Sequence, residues 1–160
     1  MKRLTLLLCI FFIFSLYGCS APETDPPLSA EADMLIETRY YTLTAPESWA
    51  DNCVIELKEE KNGGELLIVW EAESHKTEYG GHLFAIRLMP SSEEYDNFPV
   101  YELLATLDTP EGLFNVVVLF SDVVQQYSEE TAASYQEVAK DIRNVLDSIR
   151  PKIGVEMAMP

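Results

Sequence analysis

Two histidines, one cysteine of the folding region and a dense set of acids are the side chains of this 160-residue chain that could do chemistry. His75 and His82 stand seven residues apart across a loop holding Gly80 and Gly81. With Glu73 and Glu78 they offer four donors, and zinc takes three or four well-spaced His, Cys or carboxylate ligands. Loop histidines are far more often solvated, so no metal and no cofactor is assigned. The run Ser91-Ser92-Glu93-Glu94-Tyr95-Asp96-Asn97 is rich in oxygen ligands. It lacks the spacing and central glycine of a calcium loop, and reads as a solvated loop. Gly63-Gly64 and Gly80-Gly81 stand at strand starts, so neither pair has the strand-to-helix context of a phosphate cradle. There is no Gly-x-Ser-x-Gly elbow. Cys53 alternates with Ile55 and Leu57 onto one strand face. That pattern predicts a small buried thiol rather than a nucleophile, which needs a neighbouring base or positive field. The reading is non-catalytic.

The first nineteen residues carry a different chemistry. Lys2 and Arg3 precede an apolar run from Leu4 to Phe14, and Leu16-Tyr17-Gly18-Cys19 follows. A charged start, a short apolar stretch and small residues near a cleavage point make a secretory signal. The run is shorter than the ~20 residues of a membrane-spanning helix. Leu16 to Cys19 resembles the lipobox of bacterial lipoproteins. The resemblance implies cleavage before Cys19, lipid on its thiol and anchoring on the extracytoplasmic face of the cell membrane. Two or more acyl chains hold stably, at about 0.8 kcal/mol per buried methylene.

Charge narrows the partners. The whole chain carries a formal −16. Lys2 and Arg3 leave with residues 1–18, so nine basic residues face 27 acidic ones in the remaining 142, a net of −18. Such a surface excludes nucleic acid as a partner, because phosphate neutralisation needs Lys and Arg. It also opposes lying flat on an anionic membrane. Cys9 lies within the signal and Cys19 would bear lipid, so Cys53 has no partner for an intrachain disulfide. The core alone must stabilise the fold.

The elements that must position these groups can be read from periodicity. Residues 19–36 are expected to be the lipid-anchor cysteine and an acidic, proline-rich linker with Pro22, Pro26 and Pro27; its stretch Ser20 to Asp33, if extended, could lift a domain about 40 Å at ~3.1 Å per residue. A globular domain is expected over 37–150. Arg39 to Ala45 is strand-prone and stops at Pro46-Glu47-Ser48-Trp49. Cys53 to Lys58 and Glu65 to Glu73 flank the turn Asn62-Gly63-Gly64. The second of these strands, apolar on both faces, is expected inside the sheet and covered on both sides. His82 to Met89, Val100 to Leu107 and Leu113 to Phe120 are the remaining strands. Ser128 is the expected cap of one long helix whose Tyr135, Val138, Ala139, Ile142, Val145, Leu146 and Ile149 form an apolar stripe. Residues 151–160 are expected to be a tail. The sum is an α+β fold, an antiparallel sheet of about six strands packed by a C-terminal amphipathic helix. One helix leaves much of such a sheet bare. The segment 33–37, the loop 91–98, sheet curvature or a partner are candidates to cover the rest.

The strand into Pro46-x-x-Trp49, the segment Ser121-Asp122-Val123-Val124-Gln125 and the helix after Ser128 resemble small envelope domains of Gram-positive bacteria with a Mog1/PsbP-like α/β/α sandwich. That resemblance implies an adaptor or assembly role and brings no catalytic residues. The expectation is a lipid-anchored, extracytoplasmic binding or adaptor domain with an envelope protein as its possible partner. Its binding surface is expected on the uncovered sheet face near Tyr79, Tyr95, Phe98 and Tyr101. The alternative is a small envelope hydrolase or ligand-binding enzyme with a site near His75 and His82.

Overall fold

Among the described residues the apolar alternation resolves into nine strands and four short helices. The computed structural model describes residues 33–160 apart from Asp96 and Val124. In chain order the elements are β1 (Met34–Glu37), β2 (Tyr41–Ala45), α1 (Trp49–Asn52), β3 (Cys53–Glu59), β4 (Glu65–Glu71) and α2 (Ala72–His75). There follow β5 (His82–Pro90), β6 (Tyr101–Thr109), β7 (Gly112–Leu119), α3 (Ala132–Ala139), α4 (Ile142–Asp147), β8 (Arg150–Pro151) and β9 (Glu156–Ala158). The expected signal region, Cys19 and the expected linker as far as residue 32 lie outside the described residues. No described helix is long and apolar enough to cross a membrane.

Two antiparallel sheets make the α+β fold. The larger has six strands in the order β3-β4-β5-β7-β6-β9, and the smaller has the order β1-β2-β8. Strand alternation assigns the two faces of the large sheet. Val69, Phe84, Ile86, Leu88, Val116 and Val118 point inward and are buried. Against them pack Tyr41, Leu43 and Ala45 of the small sheet, Trp49, and Val138, Val145, Leu146 and Ile149 of the C-terminal segment. Trp49 fills the corner after Pro46: its N–H bonds the Pro46 carbonyl at 2.9 Å, and its ring meets Phe84 at 6.3 Å. Proline stops the strand and tryptophan plugs the gap.

Several expectations change here. Two segments placed outside the domain carry strands. Met34–Glu37 pairs with β2. Beyond Ile149, Arg150–Pro151 pairs with Tyr41 and Thr42, and Glu156–Ala158 pairs with Thr106 to Asp108. The supposed tail therefore joins both sheets. The single long helix is two short ones. Lys140 N–H bonds the Gln136 carbonyl, Asp141 N–H bonds the Val138 carbonyl, and the chain tightens for one turn before α4. Ser128 does not cap the helix: α3 begins at Ala132 with Thr131 at its N-cap, and the Ser128 hydroxyl instead accepts from the Thr131 N–H at 3.3 Å in the preceding turn. The stripe survives the break because Val138, Val145, Leu146 and Ile149 all remain buried. Ser148 docks the end of α4, its hydroxyl accepting from Thr44 N–H at 2.7 Å. β4 lies inside the sheet as expected, yet only its inward face is buried; Leu66, Ile68 and Trp70 are half-buried.

Candidate binding face

The outward face of the large sheet is where three of the four expected binding residues, Tyr95, Phe98 and Tyr101, fall. Register sets its rows. Glu56, Ile68, Ala85, Leu119 and Tyr101 align across five strands, and Lys58, Leu66, Arg87, Val117 and Leu103 align in the next row. The loop 91–100 lies over this face. Phe98 places its ring over the Arg87 guanidinium at 5.6 Å, and Tyr95 meets Tyr101 edge-on at 5.4 Å and 76°. Ala85, Met89 and Val117, which point outward from interior strands, are buried. Beside the loop, Leu66, Ile68 and Trp70 stay half-exposed, and Val54 on the edge strand is exposed.

The loop is tied down at several points. Glu93 accepts from the Asn62 amide at 2.7 Å, Ser91 N–H bonds the Leu113 carbonyl, and Phe98 N–H bonds the Tyr95 carbonyl. Arg87 itself is bonded to Glu60 at 2.8 Å. Glu93, Glu94, Tyr95 and Tyr101 enclose a shallow cleft of about 330 Å³.

Three of the four expected residues, Tyr95, Phe98 and Tyr101, are brought together. Tyr79 is not with them. It sits exposed in the turn before β5, its N–H bonded to Thr77 Oγ1 at 3.3 Å, and makes no ring contact with the other three.

The histidine loop is less promising than its composition suggests. Among the described residues no three His, Cys, Asp or Glu side chains gather closely enough to hold a metal ion. His75 is exposed, stacks at 4.9 Å on Trp70, and places Nδ1 at 3.2 Å from the Gly80 carbonyl. His82 turns into the structure; burial lowers its pKa, and its Nδ1 has no partner among the described residues. Cys53 is half-buried, and its thiol is pushed up to about 12 by burial and then by the nearby Glu71 charge. A thiol that stays protonated at neutral pH is no nucleophile.

Two buried polar residues that sequence reasoning missed hold this region in shape. Glu71 is fully buried and accepts from Glu73 N–H at 3.0 Å, Ser74 N–H at 2.6 Å and the Ser134 hydroxyl at 2.5 Å. One carboxylate thus caps α2 and tethers α3 to the sheet. Burial pushes its pKa up, but the bonds from Ser134, Ser74 and Glu73 outweigh burial and leave the pKa lowered. A lowered pKa makes Glu71 a poor base, and Ser134 lines an open cleft of about 230 Å³ with Ser48, Asn52, Glu137 and Val138. Gln126 is the second. Its amide oxygen accepts from His82 N–H at 3.3 Å, and its amide nitrogen donates to Ser121 Oγ at 2.8 Å. Its carbonyl accepts from Gly81 N–H at 3.1 Å. The neighbouring Gln125, singled out in the sequence, is exposed. Glutamine has no capping preference and glutamate is a weak one, so neither role was visible in the residue type.

No family model matches the chain, and no curated protein or solved structure is significantly similar to it.

Proposed function

We propose that the protein is a lipid-anchored, non-catalytic binding or adaptor domain of the bacterial cell envelope, and that it binds through the outward sheet face at the loop 91–100. The carrying observation is that the loop brings Tyr95 against Tyr101 of β6 and Phe98 over Arg87 of β5, on a face whose neighbouring apolar strip is half-exposed. Aromatic rings on a tethered loop supply large contact area at small entropic cost. The lipobox at Leu16 to Cys19 supports the anchor, and the acidic, proline-bearing linker supports stand-off from the membrane. The six-stranded antiparallel sheet with helices packed on one face supports a Mog1/PsbP-like relationship, whereas the second small sheet and the shortness of the helices weigh against it. An enzyme built on His75 and His82 has less support, because His75 stacks on Trp70 at the surface while His82 turns inward, and the two rings do not converge with other ligating groups among the described residues.

Two measurements test the reading. Cys19→Ala should move the protein out of the membrane fraction or leave it unprocessed; normal membrane retention would remove the anchor. Gentle solubilisation of the lipidated protein from its native envelope should recover one stoichiometric protein partner. Recovery of the protein alone would remove the adaptor role.

A further inference from the structure

We propose that the cleft between Tyr95 and Tyr101 binds an organic ammonium group, and that it favours a quaternary, choline-type cation over a primary amine. The proposal rests on the outward face being the binding surface and names the chemistry it selects.

Four observations point the same way. The two rings stand at 76° with centroids 5.4 Å apart, so they form two walls of a corner rather than a closed stack. Tyr101 is 39% exposed, and the corner opens into the cleft of about 330 Å³ whose other walls are Glu93 and Glu94. A cation within about 6 Å of a ring face is attracted by the ring quadrupole, and two carboxylates add charge of the right sign. The same loop already recognises a cation in this manner, since Phe98 covers the Arg87 guanidinium at 5.6 Å.

The tyrosine pair is not required to hold the loop. Phe98 on Arg87, Glu93 on Asn62 and Ser91 on the Leu113 carbonyl already do that. That leaves a half-open aromatic corner beside Glu93, which also holds the Asn62 amide, and the exposed Glu94. The polarity excludes anions. An anion would meet two carboxylates and a chain of formal charge −16. The same field raises the local concentration of cations.

The preference for a quaternary group follows from hydration at the ring faces. Glu93 Oε1 holds the Asn62 amide and Glu94 Oε2 stands 3.5 Å from the Asn97 amide, so the carboxylates still supply charge through their other oxygens. A primary ammonium is compact and strongly hydrated, and it must shed that water to lie against a ring face. A quaternary ammonium asks for charge and ring faces without hydrogen bonds.

The test is an NMR titration of the mature domain at fixed ionic strength with choline, with ethanolamine, and with 3,3-dimethyl-1-butanol as the uncharged isostere of choline. Choline should produce saturable shifts at Tyr95, Tyr101 and Glu94. The isostere should bind about tenfold more weakly, within the range expected for a cation–ring contact assisted by charge. Ethanolamine should also bind more weakly than choline. Tyr101→Leu and Glu94→Gln should each weaken choline several-fold, Tyr101→Phe should keep it because the ring remains, and Tyr79→Leu should leave it unchanged. Equal binding of choline and its isostere overturns the proposal, as does the absence of saturable shifts or tighter binding of ethanolamine. The paired variant Tyr95→Leu/Tyr101→Leu separates this from the broader reading. If it loses the envelope partner while choline never binds, the outward face stands and the cation falls. If it keeps the partner in full, the face falls too.

Discussion

Replacing Glu71 with glutamine removes one charge from the interior and changes almost no volume. The wild-type carboxylate satisfies two backbone N–H groups, of Glu73 and Ser74, and the Ser134 hydroxyl. The glutamine amide has one oxygen. Whichever way it turns, its NH2 group faces a backbone N–H, so one buried donor loses its acceptor. An unsatisfied buried group costs about 1–3 kcal/mol, and bonds to a charged acceptor are stronger than to a neutral one. The expected loss is about 2–4 kcal/mol, a large share of the ~5–15 kcal/mol of a typical domain. At a few degrees per kcal/mol the melting temperature should fall by roughly 10 °C.

The pH dependence is the sharper test. The folded pKa of Glu71 is lowered, so the folded state binds this proton less readily than the unfolded chain does. Its stabilisation is therefore complete above the unfolded value of about 4.3 and is lost as pH falls through the folded value. Urea denaturation of wild type and Glu71→Gln should show a constant gap from pH 7 to pH 5.5, as a sketch about 2–4 kcal/mol wide. The gap should narrow as the pH is taken below the usual carboxylate range. The other 26 acidic residues are common to both proteins and cancel in the difference. A gap of the same size at acid and neutral pH would refute the assignment of the stabilisation to the ionised carboxylate. Equal stability at pH 7 would refute the capping role altogether.

Two further outcomes follow from local geometry. Gly81 has φ +63°, and a Cβ there would stand 2.7 Å from the Glu71 carbonyl and 2.8 Å from the His75 nitrogen, whereas Gly80, at φ +77°, has open space around it. Gly80→Ala should cost about 1–2 kcal/mol from left-handed backbone alone. Gly81→Ala should cost about 1–3 kcal/mol more, because backbone must shift; equal losses in denaturant would remove the packing argument. The Cys53 thiol, raised to about 12, should alkylate with iodoacetamide at pH 8 more than about 100-fold slower in the folded protein than in urea. Similar rates, read by mass spectrometry of the Cys53 peptide, would show an accessible thiolate.

Much of the strand content was legible because its signals are local. Glycine at Gly63 and Gly112 takes the positive φ that the turns require, and the alternation of Phe84, Ile86 and Leu88 turned out to be a buried face. The Pro46-to-Trp49 corner was legible for the same reason. Length and pairing were not. Arg150–Pro151 and Glu156–Ala158 are too short and too polar to announce themselves as strands, and they exist because β2 and β6 offer edges to pair with. The helix break at Lys140 and Asp141 contains neither proline nor glycine, so periodicity ran across it.

The sequence by itself determined the acidic balance, the lipobox resemblance, the α+β class, most strand positions and the aromatic composition of the loop 91–98. These depend on residue type and near-neighbour spacing. Only the tertiary structure decided that Tyr95 meets Tyr101 and Phe98 covers Arg87 while Tyr79 stands apart, and that His75 and His82 take unrelated surroundings. It alone decided that Glu71 and Gln126 carry the buried polar contacts. Those outcomes depend on which strands become neighbours, since register brings together residues far apart in the chain, and no spacing along the sequence encodes it.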